Sequence, residues 1–194
     1  FAKYPEPGRV KTRLARAIGL ERAALLYKEM IETVVRRTAP LPLPPPSRGG
    51  GGGEGEYRRT LCFDPPEREN DFRKWLPSLD LRRQGGGDLG QRMSAAFQES
   101  LANDLDRTVL IGTDCTEIDR SLLCDAFQQL EGADLVLGPA KDGGYYLIGM
   151  KKAHPFLFEE IPWSTNKVLH ETLQKAGREN LKIELLKTLS DIDE

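Results

Sequence analysis

Cysteine and histidine are scarce in this chain, with three of the former and two of the latter among 194 residues. Cys62, Cys115 and Cys124 are too few and too irregularly spaced for a disulfide framework or a zinc knuckle, and a reducing, cytoplasm-like compartment is the expectation. His154 and His170 lie outside the loops that hold the candidate chemistry, which disfavours histidine chemistry. No apolar run approaches the roughly 20 residues needed to cross a bilayer, and no signal-peptide core is visible at the start. An excess of either charge is also missing: 28 basic residues against 30 acidic ones leave a net charge of −2. That balance marks neither a nucleic-acid binder nor an acidic tail, so neither nucleic acid nor membrane is an expected partner, and any phosphate site must come from local clustering.

One such cluster is present. "KYPEPGRVKTRL", residues 3–14, combines the backbone-shaping Pro5, Pro7 and Gly8 with the cations Lys3, Arg9, Lys11 and Arg13, and Glu6 is its one acid. A stiff basic loop of this kind suits an anionic ligand, with Lys11 and Arg13 as the first candidates for phosphate, Lys3 behind them and Arg9 as a solvated charge. The turn from Thr12 to Ala15 is expected to open a helix whose amides favour anions.

The length fits one domain, here taken as residues 1–194 with a flexible Pro/Gly-rich insertion over residues 39–56. Apolar residues at Leu20, Ala23, Ala24, Tyr27, Met30, Ile31 and Val34 predict a long helix over Leu20 to Arg37. Strands are predicted over Tyr57 to Phe63, Leu79 to Arg83, Thr108 to Gly112, Asp134 to Leu137, Tyr145 to Met150 and Leu181 to Leu185. Helices are predicted over Glu67 to Leu76, Leu89 to Leu101, Ser121 to Leu130 and Thr165 to Ala176. This alternation argues for a mostly parallel sheet covered by helices on both faces, with ligands beyond the carboxyl ends of the strands.

Three further loops carry unusual residues. In "VLIGTDCTEID" an apolar strand runs into Asp114, Glu117 and Asp119; a carboxylate there suits Mg²⁺ or Mn²⁺, whereas Asp119 reads as the cap of the next helix. "GPAKDGGYYLIG" places Asp142, Gly143 and Gly144 between two apolar strands, equally a hairpin turn and a site where backbone meets ligand closely. "QGGGDLGQRM" spaces Gly85, Gly87 and Gly90 like a dinucleotide fingerprint but in mid-chain, which favours a helix entry meeting some other nucleotide.

Taken in order, the opening loop, "GDLGQRM", "IGTDC", "GPAKDGGYYLIG", "IPWST" and "DID" resemble the glycosyltransferase-like family of the nucleotide-diphospho-sugar transferase (GT-A) fold, some of whose members are linked to arsenosugar biosynthesis. The chain is more distantly similar to the molybdenum-cofactor and coenzyme F420 guanylyltransferases. The resemblance implies a three-layer α/β, Rossmann-like fold with a mostly parallel mixed sheet and a metal-dependent transferase using a nucleotide-diphospho-sugar and a small-molecule acceptor. Nucleotidyl transfer from a nucleoside triphosphate, or a catalytically silent nucleotide-binding domain, are the alternatives. It also implies roles for residues. Lys3, Lys11 and Arg13 would meet phosphates, and Gly87, Asp88, Gly90 and Arg92 would lie near the nucleoside. Asp114 and Asp193 would hold Mg²⁺ or Mn²⁺, Asp142 would face the second substrate or the metal and is the candidate general base, and Gly143, Gly144, Trp163, Ser164 and Thr165 would lie on the acceptor side.

Overall fold

Helices and strands alternate along the chain in the computed structural model, which describes residues 1–40, 57–102 and 105–192. In order they are β1 (Ala2–Lys3), α1 (Ala15–Ile18), α2 (Leu20–Arg37), β2 (Thr60–Asp64), a 3₁₀ turn (Pro66–Arg68), α3 (Glu69–Trp75), β3 (Asp80–Arg83), α4 (Leu89–Ala102), β4 (Thr108–Ile111), α5 (Arg120–Gly132), β5 (Leu135–Pro139), β6 (Tyr145–Met150), a second 3₁₀ turn (Pro155–Phe158), α6 (Val168–Arg178) and β7 (Ile183–Leu185). Almost all of the expected insertion, from residue 41 to 56, lies outside the described residues, as does Asp193.

The strands form a parallel sheet ordered β1-β2-β3 and a mixed sheet ordered β4-β6-β5-β7, in which β6 runs against both its neighbours while β5 and β7 are parallel. The Phe1 nitrogen donates to the Ile111 carbonyl at 2.9 Å, so the two sheets adjoin along β1 and β4. The architecture is therefore the α/β fold that the alternation predicts.

Sequence alternation sorts side chains between the layers. On β5, Val136 packs with the α5 residues Leu122, Ala126 and Leu130, while Leu135 and Leu137 pack with Met93 and Phe97 of α4 and Ala176 of α6. Helices thus cover both faces of the mixed sheet. The first sheet has its own cluster, in which Tyr27, Met30 and Ile31 of α2 and Phe72 of α3 meet Leu61 and Phe63 of β2.

Several sequence expectations shift, among them the starts of β2, at Thr60 instead of Tyr57, and of β7, at Ile183 instead of Leu181. Leu20 is 54% exposed, not part of the α2 stripe, because it stands at the helix start, directly after the left-handed Gly19. The last helix begins at Val168 instead of Thr165, because Ser164 adopts a left-handed φ of 63° and the Thr165 hydroxyl turns back to donate to the Pro162 carbonyl at 2.7 Å. Among the described residues no helix is long and apolar enough to cross a membrane.

Candidate active site

The carboxyl ends of β1 and β4 meet under a side chain from α2. Tyr27 is buried, and its hydroxyl accepts from the Lys3 amide at 3.2 Å and shares a hydrogen bond with the Thr113 hydroxyl at 3.2 Å. One phenol thereby ties the basic loop to the residue before Asp114. Sequence periodicity places Tyr27 only in the helix stripe; the signal overlooked is that a buried tyrosine needs a partner for its polar tip. Tyr27→Phe keeps the ring and takes this partner from the Lys3 amide and the Thr113 hydroxyl. We expect it to lower stability by about 1 kcal/mol; an unchanged denaturant midpoint would reduce Tyr27 to a packing residue.

The basic loop does not present its cations as one set. Val10 and Leu14 are buried anchors, and between them Lys11 takes a left-handed φ of 45° that turns its side chain inward. Lys11 Nζ lies 2.7 Å from Asp114 Oδ1 and donates to the Ile192 carbonyl at 2.6 Å. The Lys11 side chain is 4% exposed, while that of Asp114 is 51% exposed. Lys3 and Arg13 are exposed on the surface. Arg13 lines an open cleft of about 420 Å³ with Arg16, although α1, the helix expected after the loop, is a single turn. Glu6 is held by Arg9 at 3.8 Å and Arg68 at 3.3 Å.

Negative charge gathers at the end of β4. The Cys115 thiol is pushed up to about 12, first by burial and then by the carboxylates of Asp191, Asp114, Asp142 and Glu117. Burial and these carboxylates both disfavour the thiolate of Cys115. The Gly112 amide donates to the Tyr146 carbonyl at 3.0 Å, so the hairpin that carries Asp142 runs beside the strand end that leads to Asp114. Asp119 caps α5, accepting from the Leu122 amide at 3.0 Å, as its spacing suggests. Among the described residues no group of three histidine, cysteine or carboxylate side chains stands in metal-holding geometry. The half-exposed Asp114 carboxylate suits a hard divalent cation of the kind that completes its shell with waters and substrate phosphates, and does not suit a closed protein cage.

The glycine-rich entry to α4 is built as a cap. Asp88 and Gln91 bond reciprocally, the Asp88 amide donating to Gln91 Oε1 at 2.9 Å and the Gln91 amide to Asp88 Oδ1 at 2.8 Å. A Cβ on Gly87, at φ 91°, would lie 2.1 Å from that same Oε1. A Cβ on Gly90 would meet the Phe158 carbonyl at 2.6 Å and Trp163 Nε1 at 2.7 Å. These residues thus have a local reason to be there, and the Asp-x-x-Gln pattern of a capping box is the sequence signal for it. Asp88→Ala should cost about 1 kcal/mol of stability, readable as a lower denaturant midpoint. Arg92 points back to the strand ends, donating to Gln84 Oε1 at 3.2 Å and lying 3.8 Å from Asp64. Gln84, absent from the sequence expectations, donates in turn to the Ala2 carbonyl at 3.3 Å and the Cys62 carbonyl at 2.9 Å. Lys3 belongs on this side, paired in register with Asp64 and sharing a cleft of about 260 Å³ with Tyr4, Glu6, Arg9, Asp64 and Pro65.

On the expected acceptor side the glycines pack against protein. Gly143 has φ 89°, and a Cβ there would lie 2.3 Å from the Asn166 carbonyl oxygen. Its own carbonyl accepts from the Leu169 amide at 2.9 Å, pinning the β5–β6 hairpin to the start of α6. Asp142 Oδ1 accepts from the Gly144 amide at 2.8 Å. Trp163 stands edge-on to Tyr145, ring centroids 6.5 Å apart, and its buried indole nitrogen has no hydrogen-bond partner among the described residues. Ser164 and Thr165 are exposed, and neither caps α6. The structure thus brings together Lys11, Asp114 and the Asp142 loop in one group, and Lys3, Asp64 and Arg92 in another, with Tyr27 between the two strand ends.

The family model described as "Uncharacterized protein conserved in bacteria (DUF2064)" matches residues 52–165, more than half of the chain. The chain belongs to the DUF2064 family. Among solved structures, a candidate nucleotide-diphospho-sugar transferase from Desulfovibrio desulfuricans G20 is similar to this DUF2064 chain at 34% identity and a TM-score of 0.87, covering all of this chain and 80% of its own. CMP:2-keto-3-deoxy-manno-octonic acid synthetase complexed with CTP matches at 11% identity and a TM-score of 0.49, over 84% of this chain and 82% of its own. No curated protein matches. The DUF2064 match includes the Asp88, Asp114 and Asp142 loops and stops at Thr165.

Proposed function

We propose that this chain is a metal-dependent transferase that binds a nucleotide-diphospho-sugar at the carboxyl ends of β1 and β4 and passes the sugar to an acceptor hydroxyl. The observation that carries it is the placement of Asp114: a half-exposed carboxylate at the end of β4, held 2.7 Å from the Lys11 ammonium at the mouth of the basic loop. The name and 34% identity of the Desulfovibrio protein support the substrate class.

Asp114 would hold Mg²⁺ or Mn²⁺, which when bound neutralises the diphosphate leaving group and acts as Lewis acid and template. The chain's own residues do the rest. Arg13, on the exposed end of the basic loop, grips phosphate oxygens with its planar fork, and Lys3 contributes a point charge from the β1 end. Arg92 and Asp64 mark the nucleoside end of the cleft. Asp142 keeps one oxygen on the Gly144 amide, and its exposed carboxylate offers the other as acceptor for the proton of the attacking hydroxyl.

The test is product analysis. Incubation with Mn²⁺ and panels of nucleotide-sugars and nucleoside triphosphates should release nucleoside diphosphate from one of the nucleotide-sugars. Pyrophosphate release from a triphosphate would replace glycosyl by nucleotidyl transfer, and binding with turnover of neither class would leave a catalytically silent nucleotide-binding domain.

A further inference from the structure

Three distant parts of the chain close on one point beside Asp114. The Lys11 ammonium reaches Asp114 Oδ1 at 2.7 Å and the Ile192 carbonyl at 2.6 Å, and the Ile192 amide donates to the Asp114 carbonyl at 3.0 Å. The segment that delivers Ile192 is itself fixed. The Leu186 amide donates to the Leu137 carbonyl at 2.9 Å, the Leu189 amide to the Pro139 carbonyl at 3.0 Å, and Tyr146 Oη to the Lys187 carbonyl at 2.9 Å. Lys11 is thus held from both sides, with 4% of its side chain exposed, although it stands in a surface loop.

A lysine that served only as a flexible phosphate clamp would keep its ammonium in water, where its hydration is strong. Here the ammonium is desolvated, and the carboxylate that faces it is the one proposed to bind a divalent cation. Two cations cannot share one carboxylate without repelling each other, unless further negative charge arrives with the second.

We propose that Lys11 is a built-in counter-ion that competes with the divalent metal for Asp114, so that the metal binds tightly only together with the phosphates of the nucleotide. The inference rests on the metal-dependent transferase reading and adds an order to it. Free metal meets a carboxylate already paired with the Lys11 ammonium. A metal–nucleotide complex brings anionic oxygens that satisfy both cations, and the site accepts it. Because coupling is reciprocal, the nucleotide tightens the metal by the same factor that the metal tightens the nucleotide. A site so arranged does not hold a stray divalent cation between turnovers.

The test is Mn²⁺ titration of the whole chain, followed by the electron paramagnetic resonance signal of free Mn²⁺, alone and with ADP, GDP, CDP and UDP in turn. Wild type should bind Mn²⁺ alone weakly and at least tenfold more tightly with one of the diphosphates. Lys11→Met should bind Mn²⁺ alone about tenfold more tightly than wild type and lose most of the enhancement by nucleotide. Lys11→Arg, which keeps the charge, should stay near wild type. Asp114→Asn should remove the site in every background.

Lys11→Met with unchanged or weaker Mn²⁺ affinity, while nucleotide and metal still bind together, would overturn the counter-ion role and leave the transferase reading standing. Tighter Mn²⁺ binding by Lys11→Met, with no diphosphate altering the Mn²⁺ affinity of wild type, would overturn the transferase reading and leave only the competition between Lys11 and metal. Should Lys11→Met not fold, wild type decides: equal Mn²⁺ affinity with and without every diphosphate overturns the proposal.

Discussion

Asp114→Asn is expected to lower nucleotide-dependent turnover by at least about a thousandfold, which corresponds to about 4 kcal/mol of transition-state stabilisation. The substitution keeps the size and planarity of the side chain and removes the charge that a hard cation requires. It also changes the surroundings of Lys11, whose ammonium sits 2.7 Å away with almost no access to solvent. The Asn oxygen still accepts a hydrogen bond there, so the fold should survive with a loss of about 1–2 kcal/mol, far less than removal of the side chain would cost. Steady-state turnover at saturating Mn²⁺, with circular dichroism as the control for folding, reads both effects. Turnover within tenfold of wild type would remove Asp114 from the chemistry.

Gly143→Ala should produce the largest loss of stability among single substitutions in the candidate site. The backbone there has φ 89°, and the added Cβ would lie 2.3 Å from the Asn166 carbonyl oxygen and 2.7 Å from the carbonyl carbon and Cα of the same residue. None of these is the tip of a flexible side chain, so the backbone that enters α6 must shift. That shift strains the bond from the Leu169 amide to the Gly143 carbonyl. We expect a cost of about 3 kcal/mol from strain and overpacking together, a fall in Tm of about 6–12 °C for a chain of this length. Gly144→Ala is the matched comparison. Its Cβ would meet only the carboxylate of Asp142, at 3.1 Å, and its φ lies outside the left-handed range, so a loss of about 1 kcal/mol or less is expected. Equal melting temperatures for the two variants, by calorimetry, would contradict the packing described for this hairpin.

Much of the fold is legible in the sequence because burial writes a period into it. The continuous apolar runs of β5 and β6 and the stripe of α2 from Ala23 to Val34 announce strands and helix where the structure has them. The capping role of Asp119 is equally local and equally readable. Direction is what a string of residues does not carry. Lys3, Lys11 and Arg13 look alike as three cations of one loop, yet a left-handed turn at Lys11 sends that side chain inward while the other two stay at the surface. Gly87, Gly90 and Gly143 suggest backbone open to a ligand, and in the structure each is closely approached by protein: the Gln91 side chain, the Phe158 carbonyl with Trp163, and the Asn166 backbone. The polar roles of Tyr27 and Gln84 are not legible, because their partners lie on strands or just beyond strand ends far away in sequence, brought near only by the crossover connections.

The central claim, a metal-dependent nucleotide site where β1 and β4 adjoin, is tested most directly by thermal unfolding of the wild-type chain with each of the four nucleoside diphosphates, with Mn²⁺ and with a chelator. At about 100 times its dissociation constant one ligand adds about 2.7 kcal/mol, a rise in Tm of about 5–11 °C. The account predicts such a rise for at least one diphosphate in the presence of Mn²⁺ and its loss with the chelator. No rise for any of the four, or a rise that the chelator leaves intact, would contradict it.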